Sequence, residues 1–252
     1  MAEGIDCATP LNADHARSLA GAGYRFAARY LVPAAYAWKR LTRAEAEAIT
    51  AAGLQIISVY ETSANRAAGG ASAGLADGTA AMREARAVGQ PEGSAIYFAV
   101  DYDAAASDFD EIEAYLKAAA SRITGYETGV YGSYSVVEEM ARRQACRHFW
   151  QTYAWSRGKR SDHANVFQYQ NDVRVAGVAL DLNHSYGGEG WWNTQDPQLK
   201  IEEEVPSMSQ EDAVKIIAFL QAAWNAATTK TDKDEFHRLA NEVRKAAGMP
   251  LE

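Results

Sequence analysis

The sequence predicts an α/β protein: an irregular (β/α)8 barrel of the TIM type, with a C-terminal helical hairpin as an appendage. Two observations predict the barrel, namely eight short apolar strand candidates and helical patterns between the first six of them. A change of composition at Asp196 predicts the appendage. Eight strands within residues 1–195 favour a compact closed barrel over an open doubly wound sheet.

The strand candidates are short runs rich in β-branched and aromatic residues, the composition that suits a pleated, buried surface. In chain order they read GIDCA, YRFAARYL, LQIISVYE, AIYFAVDYD, TGVYGSY, HFWQTYAW, NVFQYQ and VALDLN, starting at Gly4, Tyr24, Leu54, Ala95, Thr128, His148, Asn165 and Val178.

The helical patterns each lie between two strands, as in parallel βαβ units, and begin at Asn12, Thr42, Gly74, Ser107 and Tyr134. Thr42 and Glu45 have the spacing of a capping box, and Gly53 stands where a left-handed C-terminal cap is expected. The segment GGASAG from Gly69 is predicted to be a flexible loop beside the cleft. After HFWQTYAW the connections are short, so the later helices are expected to be degenerate.

The composition divides the chain into a barrel at 1–195, an acidic linker at 196–208 and a helical hairpin at 209–252. The linker segment DPQLKIEEEVPSMS is polar and contains two prolines, which do not suit a barrel strand. Two helices alone bury little apolar surface, so residues 209–252 are predicted to dock on other surfaces or to self-associate.

The charge balance excludes some classes of partner. With 33 acidic and 25 basic residues and no basic run, neither nucleic acid nor a membrane is a predicted partner. The two cysteines, Cys7 and Cys146, are too few for a disulfide framework. The first residues, MAEGIDCATP, lack the basic and apolar parts of a signal peptide. This predicts a protein made in the cytoplasm, with any action on a cell wall following release at lysis.

Carboxylates recur at the ends of four strand candidates, and they are Asp6, Glu61, Asp101 with Asp103, and Asp181. The carboxyl ends of parallel barrel strands form the face that carries the active site in such enzymes. Asp101 and Asp103 are two residues apart, so as strand residues they would point the same way, into the barrel mouth. A single strand-end aspartate can instead cap a helix, but the recurrence favours a shared site.

Crowded carboxylates repel one another, so one stays protonated near neutral pH while a neighbour is ionised. A glycosidase needs this division between a proton donor and a charged partner. Residues near the same strand ends are predicted to bind sugar by stacking or hydrogen bonding, and they are Tyr60, Tyr102, Tyr131, Gln151, Tyr153, Trp155, Gln168, Tyr169 and Asn183. The histidine spacing does not suit a metal site, and neither a metal nor a cofactor is predicted.

Seven segments together resemble the glycoside-hydrolase-like family that is related to the family 25 glycoside hydrolases. They are GID, FAARYL, LTRAEAEAITAAGLQIISVYE, IYFAVDYD, GVYGSY, WQTYAWS and LDLN, within residues 3–190. The resemblance implies an irregular (β/α)8 barrel and, by relation, an N-acetylmuramidase that acts on bacterial peptidoglycan.

The resemblance matches individual acids of this chain to the catalytic positions of family 25. Asp6, Asp101 and Asp181 match family 25 aspartates, whereas the glutamate that serves there as general acid falls on Asp103, which is one methylene shorter. Glu61, a feature of the glycoside-hydrolase-like relatives, is the alternative source of the acid.

The sequence leaves three functional hypotheses. The first is a peptidoglycan-degrading, lysozyme-like glycosidase such as a phage endolysin, with Asp101 as stabiliser or nucleophile and Glu61 or Asp103 as acid. Asp6 and Asp181 would tune charge and bind sugar, and a substrate-assisted route through an acetamido group is equally open. The second is a catalytically inactive glycan-binding module. The third is a structural component of a phage particle or wall-associated assembly.

Overall fold

The computed structural model describes residues 1–195, 210–247 and 249. The chain divides into two compact units, Met1–Leu199 and Lys200–Glu252, which are described separately. The predicted linker at 196–208 lies outside the described residues.

The first unit contains a closed barrel of eight strands arranged in chain order. Strands β1 to β7 pair in parallel along the series, whereas β8 runs antiparallel to both β7 and β1. The strands are β1 (Ala2–Asp6), β2 (Phe26–Tyr30), β3 (Gln55–Tyr60), β4 (Ala95–Ala99), β5 (Glu127–Gly132), β6 (His148–Thr152), β7 (Val166–Val175) and β8 (Val178–Ser185). The predicted barrel is confirmed, but the expected direction of its last strand is wrong.

The reversal of β8 has a local cause in the two residues that connect it to β7. Ala176 and Gly177 both have positive φ, 51° and 82°, as in the tight turns that join antiparallel strands. A parallel strand would need a crossover of a dozen or more residues, which this connection lacks. Because β8 is antiparallel to its neighbours, its N-terminal half lies beside the carboxyl ends of the parallel strands. Asp181 therefore pairs in register with Asp6.

Helices fill the connections between the first six strands, and they are α1 (Ala13–Gly21), α2 (Arg43–Ala51), α3 (Gly70–Val88), α4 (Phe109–Ala120) and α5 (Tyr134–Arg142). Asn12 caps α1 and Thr42 caps α2, each by accepting a backbone N–H bond three residues on. The capping box at α2 is only half formed. The Glu45 carboxylate accepts bonds from the Leu11 amide and from Arg29 instead of reaching back to Thr42.

The glycine-rich segment is not a loop, contrary to the sequence prediction. Helix α3 already begins at Gly70 and packs against α4. A Cβ at Gly74 would lie 2.2 Å from the Tyr115 carbonyl oxygen, and one at Gly78 would lie 2.6 Å from that of Ala119. The glycines therefore allow close helix packing, a requirement that depends on α4 and is invisible in the local sequence.

Two apolar layers hold the first unit together. Inside the barrel, Phe26, Tyr97 and Trp150 are fully or almost fully buried among small side chains. Between barrel and helices lies a larger layer rich in Ile, Leu, Val and Ala. The filled interior closes the barrel below its mouth.

The second unit contains the helices α6 (Gln210–Ala226) and α7 (Lys230–Ala246). Trp224 stacks against the ammonium of Lys233 at 4.7 Å, while Val214 and Phe219 are exposed. Its role in docking or self-association stays a prediction. Across the described parts of both units, no helix combines the length and the apolar character needed to cross a membrane.

Candidate active site

The barrel mouth brings four of the five predicted carboxylates to one cavity of about 150 Å³. Asp6 ends β1, Glu61 directly follows β3, and Asp101 lies two residues beyond β4. Asp181 enters from the N-terminal half of the reversed strand β8. The cavity is also lined by Tyr30, Val59, Ala99, Tyr131, Trp150, Gln168 and Asn171. Four acidic side chains thus converge where the parallel strands end.

The deepest carboxylate, Asp6, is held by two buried amides. Gln168 Nε2 donates to Asp6 Oδ2 at 2.9 Å, and Asn183 Nδ2 donates to the same oxygen at 2.7 Å. Burial is the largest cause that raises the pKa of Asp6 to about 7, and the nearby charge of Asp181 adds to it. The two amide bonds oppose this rise. Asp6 is therefore half-protonated near neutral pH.

The amides also connect Asp6 to the walls of the cavity. Gln168 Nε2 bonds Asp181 Oδ2 at 3.2 Å, and its Oε1 accepts the Tyr131 hydroxyl at 2.9 Å. Asn183 Oδ1 accepts the indole N–H of Trp150 at 2.9 Å. This network fixes the floor of the site through groups that are paired with one another.

Asp101 differs from Asp6 because it is half-exposed and its carboxylate has no hydrogen-bond donor among the side and main chains of residues 1–195. Burial raises its pKa to about 6, and the charge of Glu61 is the next cause. Lys39 opposes this rise but does not cancel it. Asp101 can thus carry a proton in mildly acidic solution and present it to the cavity.

Glu61 is balanced by a cation that the strand pattern did not reveal. Lys39 Nζ lies 3.0 Å from Glu61 Oε2, and both side chains are largely buried. The same ammonium lies 4.4 Å from the centre of the Tyr30 ring. Lys39 belongs to the loop after β2, where no strand-end pattern could have predicted it. Tyr30 is the last residue of β2, so its position at a strand end could have predicted it from the sequence.

Asn171 is a further residue that the sequence analysis missed. It lines the cavity, and its Oδ1 is buried without a hydrogen-bond partner in the described structure. Buried polar atoms without a partner are uncommon, so this oxygen is a free acceptor for a ligand in the cavity. Asn171 lies in the long hairpin strand β7, at a point where the pairing register with β8 shifts.

The expectation that Asp101 and Asp103 point the same way is wrong. Strand β4 ends at Ala99, so the alternation of strand residues no longer governs the two aspartates. Asp103 is exposed and lines a different cleft, together with Phe109 and Trp155. The cavity therefore lacks a carboxylate at the position where the resemblance placed the family 25 acid.

Several residues predicted to bind sugar lie elsewhere. Tyr60 alternates with Val59 and packs outward against Phe98, between the barrel and the helices. Gln151 is fully buried and bonds the backbone of Lys159 and Ser161. In each case the strand alternation turns the side chain away from the cavity.

The remaining predicted contacts also fall outside the cavity. Tyr169 stacks on His184 with ring centres 4.0 Å apart and donates to Glu3, on the outer side of β7. Tyr102 packs against the layer between barrel and helices. Tyr153 and Trp155 are exposed, and Trp155 lines the same cleft as Asp103. Of the predicted binding set, Tyr131 and Gln168 line the cavity and Asn183 lies directly beneath it.

The raised pKa of Asp6 predicts a pH dependence of stability. Its folded pKa, about 7, exceeds its ordinary value, so the folded chain binds the proton more tightly than the unfolded chain. The contribution of Asp6 to the free energy of unfolding is therefore greatest below about pH 4. It declines as the pH rises from 4 to 7, by up to about 1.4 kcal/mol per pH unit. Chemical unfolding at several pH values should show a shallower decline for Asp6→Asn than for the wild type. Parallel curves would contradict the assignment.

A family model settles the relationship of this chain. The model of the Rv2525c-like, glycoside hydrolase-like domain matches residues 17–186, which run from within α1 to the end of β8. The chain belongs to this family. The predicted resemblance to the glycoside-hydrolase-like family is confirmed.

Two curated relatives share part of the sequence. The uncharacterised protein FadG of Bacillus subtilis is 35% identical over 113 residues, which are 42% of this chain and 19% of FadG. Rv2525c of Mycobacterium tuberculosis, a proposed peptidoglycan hydrolase, is 30% identical over 152 residues, which are 58% of this chain and 63% of Rv2525c. The matches thus span less than two thirds of either relative.

Solved structures extend the comparison to the fold. The crystal structure of Rv2525c with L-tartrate has a TM-score of 0.69 at 26% identity and covers 76% of this chain and 98% of that chain. A glycosyl hydrolase 25 of Streptococcus pneumoniae has a TM-score of 0.55 at 12% identity, covering 73% of this chain and 86% of its own. At that identity the second likeness concerns the fold alone.

The comparisons correct the predicted localisation. The expectation of a protein made in the cytoplasm without a signal peptide, which reaches the cell wall by release at lysis, is wrong, because the relative Rv2525c is described as Tat-secreted. The composition of MAEGIDCATP is therefore no basis for placing an Rv2525c-like domain inside the cell.

Proposed function

We propose that this Rv2525c-like domain is a glycosidase that cleaves the glycan strands of peptidoglycan, with Asp101 as the proton donor. One observation carries the proposal: a half-exposed carboxyl with a pKa of about 6 faces a cavity that contains three further carboxylates. A glycosidase needs a proton donor beside further carboxyl groups that stabilise the charge on the sugar. Asp101 can hold the proton in mildly acidic solution, and Glu61 and Asp181 line the same cavity.

The reaction follows from the positions of these groups. The Asp101 proton passes to the glycosidic oxygen as the bond between that oxygen and the anomeric carbon breaks, and the aglycone leaves as an alcohol. Positive charge develops on the sugar, where the carboxylate of Asp181 stabilises it. Water then adds to the anomeric carbon and its proton returns to Asp101. Attack by a carboxylate and attack by a substrate acetamido group are both compatible with this scheme.

Two further observations support a glycan as the ligand. The cavity is smaller than the roughly 300–1,000 Å³ of pockets for drug-sized ligands, so it would enclose one sugar ring while the strand continues outside. Tyr30 and Tyr131 are only partly buried and add aromatic groups to its lining, which suits the apolar face of a sugar. Peptidoglycan is favoured because the relative Rv2525c is a proposed peptidoglycan hydrolase. Its Tat secretion supports action outside the cytoplasm.

A second candidate function is glycan binding without turnover, and two observations favour it. Glu61 is neutralised by Lys39 at 3.0 Å, which weakens it as a base or nucleophile. Asp103 is exposed in another cleft and lies apart from the other acids. Under this alternative the cavity would hold a sugar but lack the second active carboxylate.

The deciding experiment is release of new reducing ends from purified peptidoglycan by the full chain between pH 4 and 8, with binding to the same material measured in parallel. The glycosidase proposal predicts release that is strongest on the acidic side, since Asp101 must be protonated. Binding without release from walls of several chemical types would favour the second candidate.

A further inference from the structure

A second cleft, of about 400 Å³, lies on the loops that follow β4, β5 and β6. It begins at Asp103, two residues beyond the proposed proton donor in the same loop. The first residues of α5 and the loop after β6 form its other walls. The cleft is lined by Asp103, Ala104, Ala105, Ala106, Phe109, Tyr134, Ser135, Trp155, Ser156, Arg157 and Lys159. It therefore adjoins the mouth of the barrel along the chain without belonging to the carboxylate cavity.

The charge of this cleft is opposite to that of the chain as a whole, which is −8. Arg157 and Lys159 are both exposed, and neither forms an ion pair with a carboxylate of the described residues. Most cations of the barrel unit do pair with an acid, as Arg40 does with Glu84 at 2.7 Å. Lys159 Nζ instead lies 5.3 Å from the centre of the Tyr134 ring. Asp103 is the acid that faces these two cations in the cleft lining.

The loop that presents these groups has an unusual backbone. Trp155 and Arg157 have φ values of 56° and 52°, in the left-handed region that side chains other than glycine seldom occupy. Such backbone conformations are strained, and they cluster at ligand-binding and active sites. The Trp155 side chain remains exposed and lines the cleft, so the strained conformation does not serve to bury it.

Buried polar side chains hold the loop in this conformation. Ser156 is almost fully buried, donates to the Thr152 carbonyl at 2.5 Å and accepts from the Tyr134 amide at 2.8 Å. Gln151, also buried, donates to the Lys159 carbonyl at 2.8 Å and accepts from the Ser161 amide at 2.7 Å. The loop is thus fastened at both ends to β6 and α5, which leaves its aromatic and cationic side chains in place before a ligand arrives.

From this arrangement we infer that the cleft binds the carboxylate-bearing peptide attached to the glycan strand while the sugar occupies the neighbouring cavity. Arg157 and Lys159 would pair with a peptide carboxylate, and the faces of Trp155 and Tyr134 would cover its apolar part. The inference rests on the proposed peptidoglycan substrate, but it concerns recognition and does not depend on turnover. The inference also assigns roles to two residues outside the carboxylate cavity. Trp155 lines the cleft, and Gln151 holds the loop that presents it.

The test compares two soluble muropeptides of the same sugar sequence, one with free peptide carboxylates and one with those carboxylates amidated. Calorimetric titration on the full chain carrying Asp101→Asn measures affinity without cleavage of the ligand. The charged muropeptide is expected to bind about tenfold more tightly, as one or two charge-assisted hydrogen bonds imply. Because only binding is measured, this preference is independent of whether the wild type releases reducing ends.

Variants test whether the cleft causes the preference for the charged muropeptide. Lys159→Gln and Arg157→Asn should each reduce the ratio of the two affinities, and asparagine tolerates the left-handed backbone at position 157. Asp103→Asn should raise the ratio, because it removes the opposing charge. Arg86→Gln, at an exposed arginine of α3 outside the cleft, should leave the ratio unchanged. Equal affinity for the two ligands, no binding of either, or a ratio that survives the combination of Lys159→Gln with Arg157→Asn would overturn the inference.

Discussion

Replacing Asp101 with asparagine is expected to reduce the release of reducing ends from peptidoglycan by a factor of about 10²–10⁴, the usual contribution of a positioned general acid. The amide keeps the size of the side chain but cannot donate a proton to a departing glycosidic oxygen. The carboxyl is half-exposed and has no hydrogen-bond donor among residues 1–195, so its removal should not disturb the fold. Initial rates with unchanged circular dichroism and thermal midpoint would establish the effect.

The pH profile separates a lost acid from a general loss of activity. In the wild type, kcat/KM should decline above about pH 6 as Asp101 loses its proton, and this limb should be absent from the residual activity of Asp101→Asn. Asp162→Asn is a matched control, because the Asp162 side chain is almost completely exposed and lies outside the cavity. Wild-type rates for Asp101→Asn would remove this residue from the mechanism.

The largest effect on stability is expected from Arg29→Met, which should lower the free energy of unfolding by about 3–5 kcal/mol. The Arg29 side chain is completely buried, and its Nε lies 2.7 Å from Glu45 Oε1. It also donates to the carbonyls of Cys7 and Lys39. Methionine would leave a buried carboxylate without its cation and two carbonyl oxygens without a donor. Denaturant unfolding of the purified chain measures the loss.

Two comparisons control this result. Arg43→Gln breaks an exposed pair, with Arg43 Nε 2.7 Å from Glu47 Oε1, and should cost no more than about 1 kcal/mol. The double variant Arg29→Met with Glu45→Leu removes both buried charges and should recover part of the stability. If Arg29→Met cost as little as Arg43→Gln, the buried pair would not be a main support of the loop that carries Lys39.

The sequence alone predicted much of the barrel because its signals are local. Apolar strand runs, the caps at Asn12 and Thr42, and helices between the first six strands all depend on neighbouring residues. The prediction failed where a distant partner decides the outcome. GGASAG has the composition of a loop, yet it starts α3 because Gly74 and Gly78 let that helix approach α4 closely.

The presence of carboxylates at the barrel mouth was also predictable from local signals, but their arrangement in the cavity was not. Asp6 and Glu61 end or directly follow parallel strands, which must meet at one end of the barrel. Asp181 reaches the same mouth for a reason the sequence analysis missed, since β8 runs antiparallel after a two-residue turn. Asp103 was misplaced because β4 ends at Ala99, before the strand alternation could apply to it.

The sequence by itself thus determined the fold class, the order of the strands and the acids available at the barrel mouth, because these follow from periodicity and chain order. The tertiary structure alone decided which acids share a cavity and which of them can hold a proton. Burial raises the pKa of Asp101, and Lys39, from a loop without any strand-end signal, neutralises Glu61. These properties depend on desolvation and on distances between residues far apart in the chain, and no local pattern records either.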